Sequence, residues 1–246
     1  MSRDQRGFTL ISLMVGTVIS LLSILAMLSL YKNLVYISAT SIQSARQDGQ
    51  VASALLTAQR ELTNGGFWSG SATARASSDI DNYFVLLSGA TLTNGTLAGT
   101  ATAQANFPTL TSAAPNGITG NAIVWSYQTN ATATTASCAG LAVINGALVS
   151  LKGAAGCTQA STQWNTTTWT STTLIEAGQS ATLFSVGFAA CWPYGRTTDS
   201  SNTAYRLQVS LSANNSTLDP NSSSPQPAYV KSKATACLIN FEKPTS

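Results

Sequence analysis

The chain has 246 residues and a formal charge of +3, and only 9% of its residues are charged. Residues 65–246 carry seven Lys or Arg and six Asp or Glu, so this part is nearly neutral. Net charge therefore gives no ground for a nucleic-acid-binding or lipid-binding protein. The chain has no histidine, which excludes Ser-His-Asp and Cys-His catalytic arrangements and every histidine-containing metal site.

The sequence offers little that an enzyme or a metal-binding protein needs. Carboxylates are few and isolated, and no glycine-rich phosphate-binding loop occurs. Asp79 and Asp81 lie close together in sequence, but two carboxylates do not define a calcium site. The cysteines show no C-x-x-C spacing, which argues against zinc or redox chemistry. We therefore predict a non-enzymatic protein without a cofactor or a metal ion.

The N-terminal segment carries most of the functional information. A short leader containing Arg3 and Arg6 ends at Gly7, and residues 8–31 follow without a charge. At about 1.5 Å per helical residue, this run reaches roughly 36 Å, enough to cross the hydrocarbon core of a bilayer. It is too long for the apolar region of an ordinary secretory signal, and no small-x-small cleavage site follows it. We expect it to remain in the mature protein as a transmembrane helix.

Beyond this run the helical pattern continues but becomes amphipathic. Apolar and small residues recur at three- and four-residue steps, which is the period of a helix with one buried stripe. No proline precedes Pro108, and the Asn-Gly-Gly sequence at 64–66 is a strong helix stop. The sequence predicts one helix over residues 8–64, transmembrane in its first half and amphipathic in its second. The predicted stripe consists of Leu34, Ile37, Ser41, Ala45, Ala52, Leu55, Ala58 and Leu62.

From residue 65 onward, short β-prone runs alternate with turn-forming residues. The clearest unit is a hairpin, in which Asn145-Gly146 is the preferred two-residue turn between the runs 141–144 and 147–151. We predict an α+β protein in which the long helix precedes a mainly antiparallel β-sheet head. Further predicted strands are 122–127, 182–190, 205–211 and 235–241, and predicted surface loops are 69–81, 94–121 and 158–173.

All four cysteines lie in the head region. An even number of cysteines in an exported domain favours two disulfide bonds, although four cysteines allow three connectivities. Cys138 and Cys157 flank the predicted hairpin, so a bond across its open end is geometrically reasonable. The second bond would then join Cys191 and Cys237.

The leader and the residues after it resemble the class III signal of type IV prepilins and pseudopilins. In that signal a basic leader and a glycine precede Phe-Thr-Leu-Ile-Glu and an apolar helix, and here Gly7 is followed by Phe-Thr-Leu-Ile at 8–11. The resemblance implies that prepilin peptidase cleaves between Gly7 and Phe8 and that the new amino group of Phe8 is methylated.

The same resemblance implies a pilin-like division into a leader (1–7), an N-terminal helix (8–64) and a globular head (65–246). The protein would first reside in the inner membrane with a periplasmic head and later join an extracellular pilus. The implied partners are prepilin peptidase, the membrane and, through the N-terminal helix, other minor pilins and the major pilin.

Ser12 departs from the family pattern, which has glutamate at this position. The glutamate pairs with the methylated amino terminus of a neighbouring subunit, since a carboxylate in apolar surroundings is costly unless paired. A serine hydroxyl carries no charge and can bond to a carbonyl of its own helix. Ser12 therefore suits a subunit at a filament end, and the alternative is neutral drift in a minor pilin of low abundance.

Residues 47–50 and 59–68 further resemble the PilW-type minor pilins, which similarly have an acidic-Gly patch, an arginine at the helix end and a Gly-aromatic sequence. This resemblance implies a minor type IV pilin that primes pilus assembly and sits at or near the tip. One alternative is a minor pseudopilin of a type II secretion system. A second alternative is a tip-located adhesin or a receptor for DNA uptake.

Both binding alternatives have candidate residues, but each set has a simpler structural role. Dispersed cations on solvated strands do not make a basic stripe, and tryptophans in a β-rich head are more often core residues. Candidates for nucleic-acid binding are Arg196, Arg206, Lys231 and Lys233, with Trp192, Tyr194 and Tyr229 for base stacking. Candidates for an adhesive patch are Trp125, Trp164, Trp169 and Trp192.

Overall fold

The structure is a computed structural model. It describes residues 10–67, 82–103, 106–129, 135–177, 183–191, 205–218 and 229–243. The leader, Gly7, Phe8 and the predicted loop at 69–81 lie outside the described residues. The chain divides into two compact units, residues 1–46 and residues 47–246.

The long helix predicted from the sequence is present. Helix α1 runs over Leu10–Thr63. Beyond it, Gly66 has a positive φ of 68°, and the amide of Gly65 donates to the carbonyl of Leu62 at 2.9 Å. A glycine in the left-handed conformation therefore ends the helix, as the Asn-Gly-Gly sequence predicts.

The head consists of antiparallel strands in two sheets, which confirms the predicted α+β class. The strands are β1 (Phe84–Thr93), β2 (Thr96–Thr102), β3 (Ile118–Gly120), β4 (Ala122–Tyr127), β5 (Ser137–Ile144), β6 (Ala147–Gly153), β7 (Trp169–Ile175), β8 (Phe184–Ala189), β9 (Arg206–Leu218) and β10 (Tyr229–Glu242). The six-stranded sheet has the order β2-β1-β4-β5-β6-β7, and the four-stranded sheet has the order β10-β9-β8-β3. A short helix, α2 (Ala160–Gln163), lies between β6 and β7 in the chain.

Two hairpins turn at Asn-Gly. Asn145 and Gly146 have φ values of 50° and 79° between β5 and β6, at the predicted turn. Asn94 and Gly95 have φ values of 51° and 78° between β1 and β2. Positive φ at both central residues is what a type I′ hairpin turn requires. The second hairpin contradicts the predicted loop at 94–121, since β2 lies inside that range. The sequence did not predict β2 because its small Thr, Ala and Gly residues show no apolar alternation.

The six-stranded sheet buries residues on both faces. Ile123 and Leu141 belong to the main core. The intervening positions face the other way, and Val124 and Leu151 belong to a second core together with Trp164. Strands with both faces buried are expected to read as apolar runs rather than as alternating sequences, and Ala122–Tyr127 is such a run.

Residues 158–173 cover the second core, which contradicts the predicted surface loop over this range. This covering segment contains α2 and the first residues of β7, and both Trp164 and Trp169 are buried. The indole nitrogen of Trp169 donates to the carbonyl of Trp164 at 2.8 Å. This bond satisfies a buried donor that would otherwise be costly.

Two disulfide bonds hold the head together. Cys138 on β5 bonds to Cys157, with the Cα atoms 5.5 Å apart, and so fastens the covering segment to the sheet. Cys191 bonds to Cys237 on β10, with the Cα atoms 5.9 Å apart. These are the two pairings that the sequence favours.

The main core lies between the two sheets and the second half of α1. Val51, Leu55 and Leu62 of the helix are buried in it with residues of both sheets. The predicted stripe is buried at Leu55, Ala58 and Leu62, but Ala52 is exposed. Its earlier members Leu34, Ile37, Ser41 and Ala45 are exposed as well. Val51 and Ala54 are buried on the head, although the predicted stripe did not include them.

Candidate functional site: the N-terminal helix and its attachment to the head

The first half of α1 presents apolar side chains without cover. Every described residue from 10 to 43 is exposed. The helix contains an 18-residue window with a mean hydropathy of 2.4, none of it buried, and is long and apolar enough to cross a membrane. Leaving this much apolar surface in water is unfavourable. This half of the helix therefore needs lipid or other apolar helices around it.

Hydroxyl groups in this half bond to the helix backbone. The hydroxyl of Thr17 donates to the carbonyl of Met14 at 2.8 Å, and that of Ser23 donates to the carbonyl of Ile19 at 2.9 Å. Such local bonds remove the cost of placing a hydroxyl in hydrocarbon. The polar residues of the segment are thus compatible with an apolar environment.

Ser12 lies near the start of the described helix, and its side chain is exposed. No Asp or Glu occurs between Asp4 and Asp48, and the first turn of α1 has no acidic residue. The first half of α1 therefore offers no carboxylate that could pair with a cationic group of a neighbouring molecule. The predicted cleavage and methylation residues, Gly7 and Phe8, lie outside the described part.

Asp48 attaches the second half of α1 to β9. Its Oδ1 accepts a hydrogen bond from the amide of Ser216 at 2.7 Å, and its Oδ2 accepts one from the Ser216 hydroxyl at 2.9 Å. Ser216 lies where the pairing of β9 with β10 shifts register, between the pairs Tyr229–Leu218 and Lys231–Asn214. The carboxylate thus supplies an acceptor that the strand ladder does not offer at this irregularity.

Two further polar contacts join the end of α1 to the sheets. Glu61 accepts a hydrogen bond from the Ser150 hydroxyl of β6 at 2.9 Å, and Ser150 is 5% exposed. The Gln59 amide donates to the carbonyl of Thr235 on β10 at 3.1 Å. The helix is therefore tied to both sheets by side-chain hydrogen bonds as well as by apolar packing.

The residues after the helix are held in the same way. The side-chain amide of Asn240 on β10 donates to the carbonyl of Gly65 at 2.9 Å. The amide of Gly66 donates to the carbonyl of Ser126 on β4 at 2.9 Å. Together with the bonds from Asp48 and Glu61, these contacts fix residues 48–66 on the head.

These attachment residues could not be recognised from the sequence. Asp48 and Glu61 look like ordinary solvated helix charges, and Ser150 and Ser216 look like ordinary polar strand residues. Their pairing depends on which helix face meets which strand, and no local pattern encodes that.

Arg206 is not available to a nucleic acid. It is 6% exposed, and its guanidinium pairs with the Glu242 carboxylate at 3.0 Å and donates to the carbonyl of Ile239 at 3.0 Å. Lys231, Lys233 and Tyr229 are exposed on β10. These three candidates are thus accessible, whereas Arg206 is buried. The remaining candidates, Arg196, Trp192 and Tyr194, lie outside the described residues.

The tryptophans do not form an adhesive patch in the described part of the head. Trp125 is buried in the main core, and Trp164 and Trp169 are buried in the second core. Trp192 lies outside the described residues. Among the described residues, no group of three or more His, Cys, Asp or Glu is placed to hold a metal ion.

Comparison with known families identifies the N-terminal segment. Residues 2–28 match the model described as the prokaryotic N-terminal methylation motif. No curated protein and no solved structure gives a significant match. The motif, the exposed apolar helix and the antiparallel head together support a type IV pilin-like protein, either a pilin or a pseudopilin. The motif and the helix also fit a membrane-anchored protein.

Proposed function

We propose that the protein is a minor type IV pilin that primes pilus assembly and sits at or near the tip. The observation that carries this proposal is Ser12, an uncharged residue on an exposed apolar helix and inside the methylation motif matched over residues 2–28. The helix offers lipid-compatible surface along its whole first half. It can therefore move from a membrane into a bundle of similar helices without exposing apolar side chains to water.

The tip position follows from charge pairing. A shaft subunit has neighbours on both sides, and its carboxylate in the apolar core neutralises the amino terminus of one neighbour. A subunit without that carboxylate leaves such an amine unpaired, which is costly in an apolar medium. At the tip one neighbour is missing, so the cost does not arise there. Ser12 thus disfavours the shaft and leaves the end position open.

The second half of α1 is held on the head. Hydrogen bonds from Asp48, Gln59 and Glu61 hold the second half of α1 on the head. A priming subunit presents both its apolar helix and its head to the next subunits. The proposed partners are other minor pilins and the major pilin, after cleavage at Gly7 and methylation of Phe8 by prepilin peptidase. In this scheme the head is periplasmic before assembly and extracellular afterwards.

The test is to locate tagged protein on isolated pili by immunogold microscopy. We expect label at filament ends for the native chain and for Ser12→Ala, which stays uncharged. Ser12→Glu restores the carboxylate and should add label along the shaft. Label spread along shafts by the native protein would rule out the tip position, and unchanged pilus numbers after gene deletion would rule out priming.

The alternative assignment is a minor pseudopilin, whose signal has the same motif. Gene deletion separates the two assignments because it should abolish surface pili in one case and protein secretion in the other. Loss of secretion with normal pili would favour the pseudopilin.

A further inference from the structure

The chain contains four Asn-Gly sequences, at 64–65, 94–95, 116–117 and 145–146, and all four asparagines are exposed. In such a sequence the glycine amide nitrogen can attack the asparagine side-chain carbonyl, since glycine has no Cβ to obstruct the approach. Asparagine is accordingly a thermolabile residue. The attack needs an accessible amide nitrogen and a backbone that can rotate. The surroundings of each glycine therefore decide which asparagine reacts.

At two of the four sequences the glycine amide is already engaged. The amide of Gly65 donates to the carbonyl of Leu62 at 2.9 Å, and Gly65 is buried. The amide of Gly117 donates to the Ser185 hydroxyl at 3.1 Å. An engaged amide must lose its hydrogen bond before it can act as a nucleophile. Asn64 and Asn116 are therefore protected in the folded protein.

The turn at Asn94-Gly95 is held by a second contact. The carbonyl of Gly95 accepts a hydrogen bond from the amide of Trp169 at 2.7 Å, and Thr96 pairs with Thr168 in an isolated bridge. The turn between β1 and β2 is thus fixed against the start of β7. Attack on the Asn94 side chain requires its backbone to leave the left-handed conformation, and these contacts resist that rotation.

The turn at Asn145-Gly146 has no such contact within the residues that the structure describes. In this part of the chain the amide of Gly146 donates no hydrogen bond. The nearest strand pair is Ile144–Ala147, so the two turn residues lie outside the ladder and can rotate without breaking it. Asn145 therefore combines an accessible side chain, an unengaged neighbouring amide and a turn held only at its two ends.

We propose that Asn145 is a site of spontaneous deamidation and isomerisation in the folded head. The Gly146 amide nitrogen gives its proton to solvent and bonds to the side-chain carbonyl carbon of Asn145. The bond from that carbon to the side-chain nitrogen breaks, and ammonia leaves. One water molecule then opens the succinimide ring, which gives aspartate when the side-chain carbonyl is attacked and isoaspartate when the main-chain carbonyl is attacked. This inference does not depend on the position of the subunit in a pilus.

The reaction changes both the charge and the backbone of an exposed turn. Residues 65–246 have one carboxylate fewer than Lys and Arg side chains, so one conversion makes this part of the chain neutral. An isoaspartate adds a methylene group to the backbone between Ile144 and Ala147, and a two-residue type I′ turn does not accommodate it. The simpler role of Asn145 is to supply the positive φ that this turn requires. That role alone predicts an asparagine that persists while the head is folded.

The test incubates the full chain, purified in a neutral detergent, at mildly alkaline pH. Peptide mass spectrometry after digestion at acidic pH measures the conversion of each asparagine, and electron-transfer fragmentation distinguishes isoaspartate from aspartate. The same incubation in denaturant gives the rate of each site without structure. We expect Asn145 to convert within about tenfold of its denatured rate, and Asn64 and Asn116 to convert more than about tenfold below theirs. Asn94 should fall between these limits.

The matched variant is Ser185→Ala, which removes the acceptor of the Gly117 amide. It should speed the conversion of Asn116 several-fold and leave that of Asn145 unchanged. Circular dichroism checks that the variant retains its sheet content.

Three results would overturn the proposal. An Asn145 that stays intact while the denatured chain converts would show that the ladder fixes the turn and that the sequence serves turn geometry alone. Equal protection of all four asparagines would show that global unfolding controls the reaction. An unchanged rate at Asn116 in Ser185→Ala would remove the hydrogen-bond basis on which Asn145 is singled out.

Discussion

The side chain of Asn121 makes both backbone hydrogen bonds of Ala90. Its Oδ1 accepts from the Ala90 amide at 2.7 Å, and its Nδ2 donates to the Ala90 carbonyl at 2.8 Å. Ala90 lies where the pairing of β1 with β2 shifts register, between Ser88 and Thr91. The amide side chain thus replaces a strand partner at a bulge. Asn121 also joins β3 to β4, so one residue supports the bulge and the passage between the sheets.

Asn121→Ala should therefore destabilise the head. Ala90 is 4% exposed, and an unsatisfied buried backbone group costs about 1–3 kcal/mol. We expect the free energy of unfolding to fall by roughly 2 kcal/mol, measured by chemical denaturation in detergent with tryptophan fluorescence. Asn165→Ala is the control because Asn165 is exposed. Equal midpoints for the two variants would contradict the role assigned to Asn121.

The sequence predicted the elements that depend on local chemistry. The charge-free run, the Asn-Gly-Gly stop and the Asn145-Gly146 turn each rest on a few adjacent residues, and the helix and hairpin are present. Strand β2 was not predicted, although Asn94-Gly95 gives the same turn signal. Its small side chains bury little apolar surface, so its place in the sheet depends on backbone pairing with β1.

The attachment of the helix could not be predicted because it is non-local. Asp48 and Ser216 are separated by 168 positions, and their contact depends on the irregular pairing of β9 with β10. The place of Ser12 in the signal could be read from the sequence, since it is the fifth residue after Gly7. The role of Ser12 in an assembly depends on contacts with neighbouring subunits, and the sequence of one chain does not show those contacts.

Removing the Asp48 carboxylate should loosen the end of β9. In Asp48→Ala the amide of Ser216 loses its acceptor, so we expect faster hydrogen exchange in peptides covering 212–218. The measurement is hydrogen–deuterium exchange by mass spectrometry. Asp48→Asn keeps one carbonyl acceptor and should show a smaller effect, while Arg46→Ala, at an exposed position, should show none. Unchanged exchange in Asp48→Ala would mean that the strand ladder holds Ser216 without the helix.

The Cys138–Cys157 bond should stabilise the covering segment in particular. The bond closes a separation of 19 residues, for which chain entropy predicts about 3 kcal/mol of stability. The double change Cys138→Ala and Cys157→Ala should lower the thermal midpoint and shift tryptophan emission to the red, because Trp164 and Trp169 belong to that segment and are buried in the second core. Reducing agent should lower the midpoint of the native protein but have a smaller effect on the variant, which retains only Cys191–Cys237. A variant with native emission would show that apolar packing alone holds the segment.

Two glycines give opposite predictions for the same substitution. Gly49 lies inside α1, and a Cβ there would meet no atom within 4 Å. Gly49→Ala should raise the free energy of unfolding by roughly 0.5–1 kcal/mol, because glycine is the poorer helix former.

At Gly120 a Cβ would lie 2.5 Å from the Leu87 carbonyl oxygen, a backbone atom that cannot rotate away. Gly120→Ala should therefore separate β3 from β1 and destabilise the head by more than about 1 kcal/mol. Denaturation midpoints of the two variants, measured together, should lie on opposite sides of the native value. A stabilising Gly120→Ala would show that the two sheets do not approach this closely where β3 passes β1.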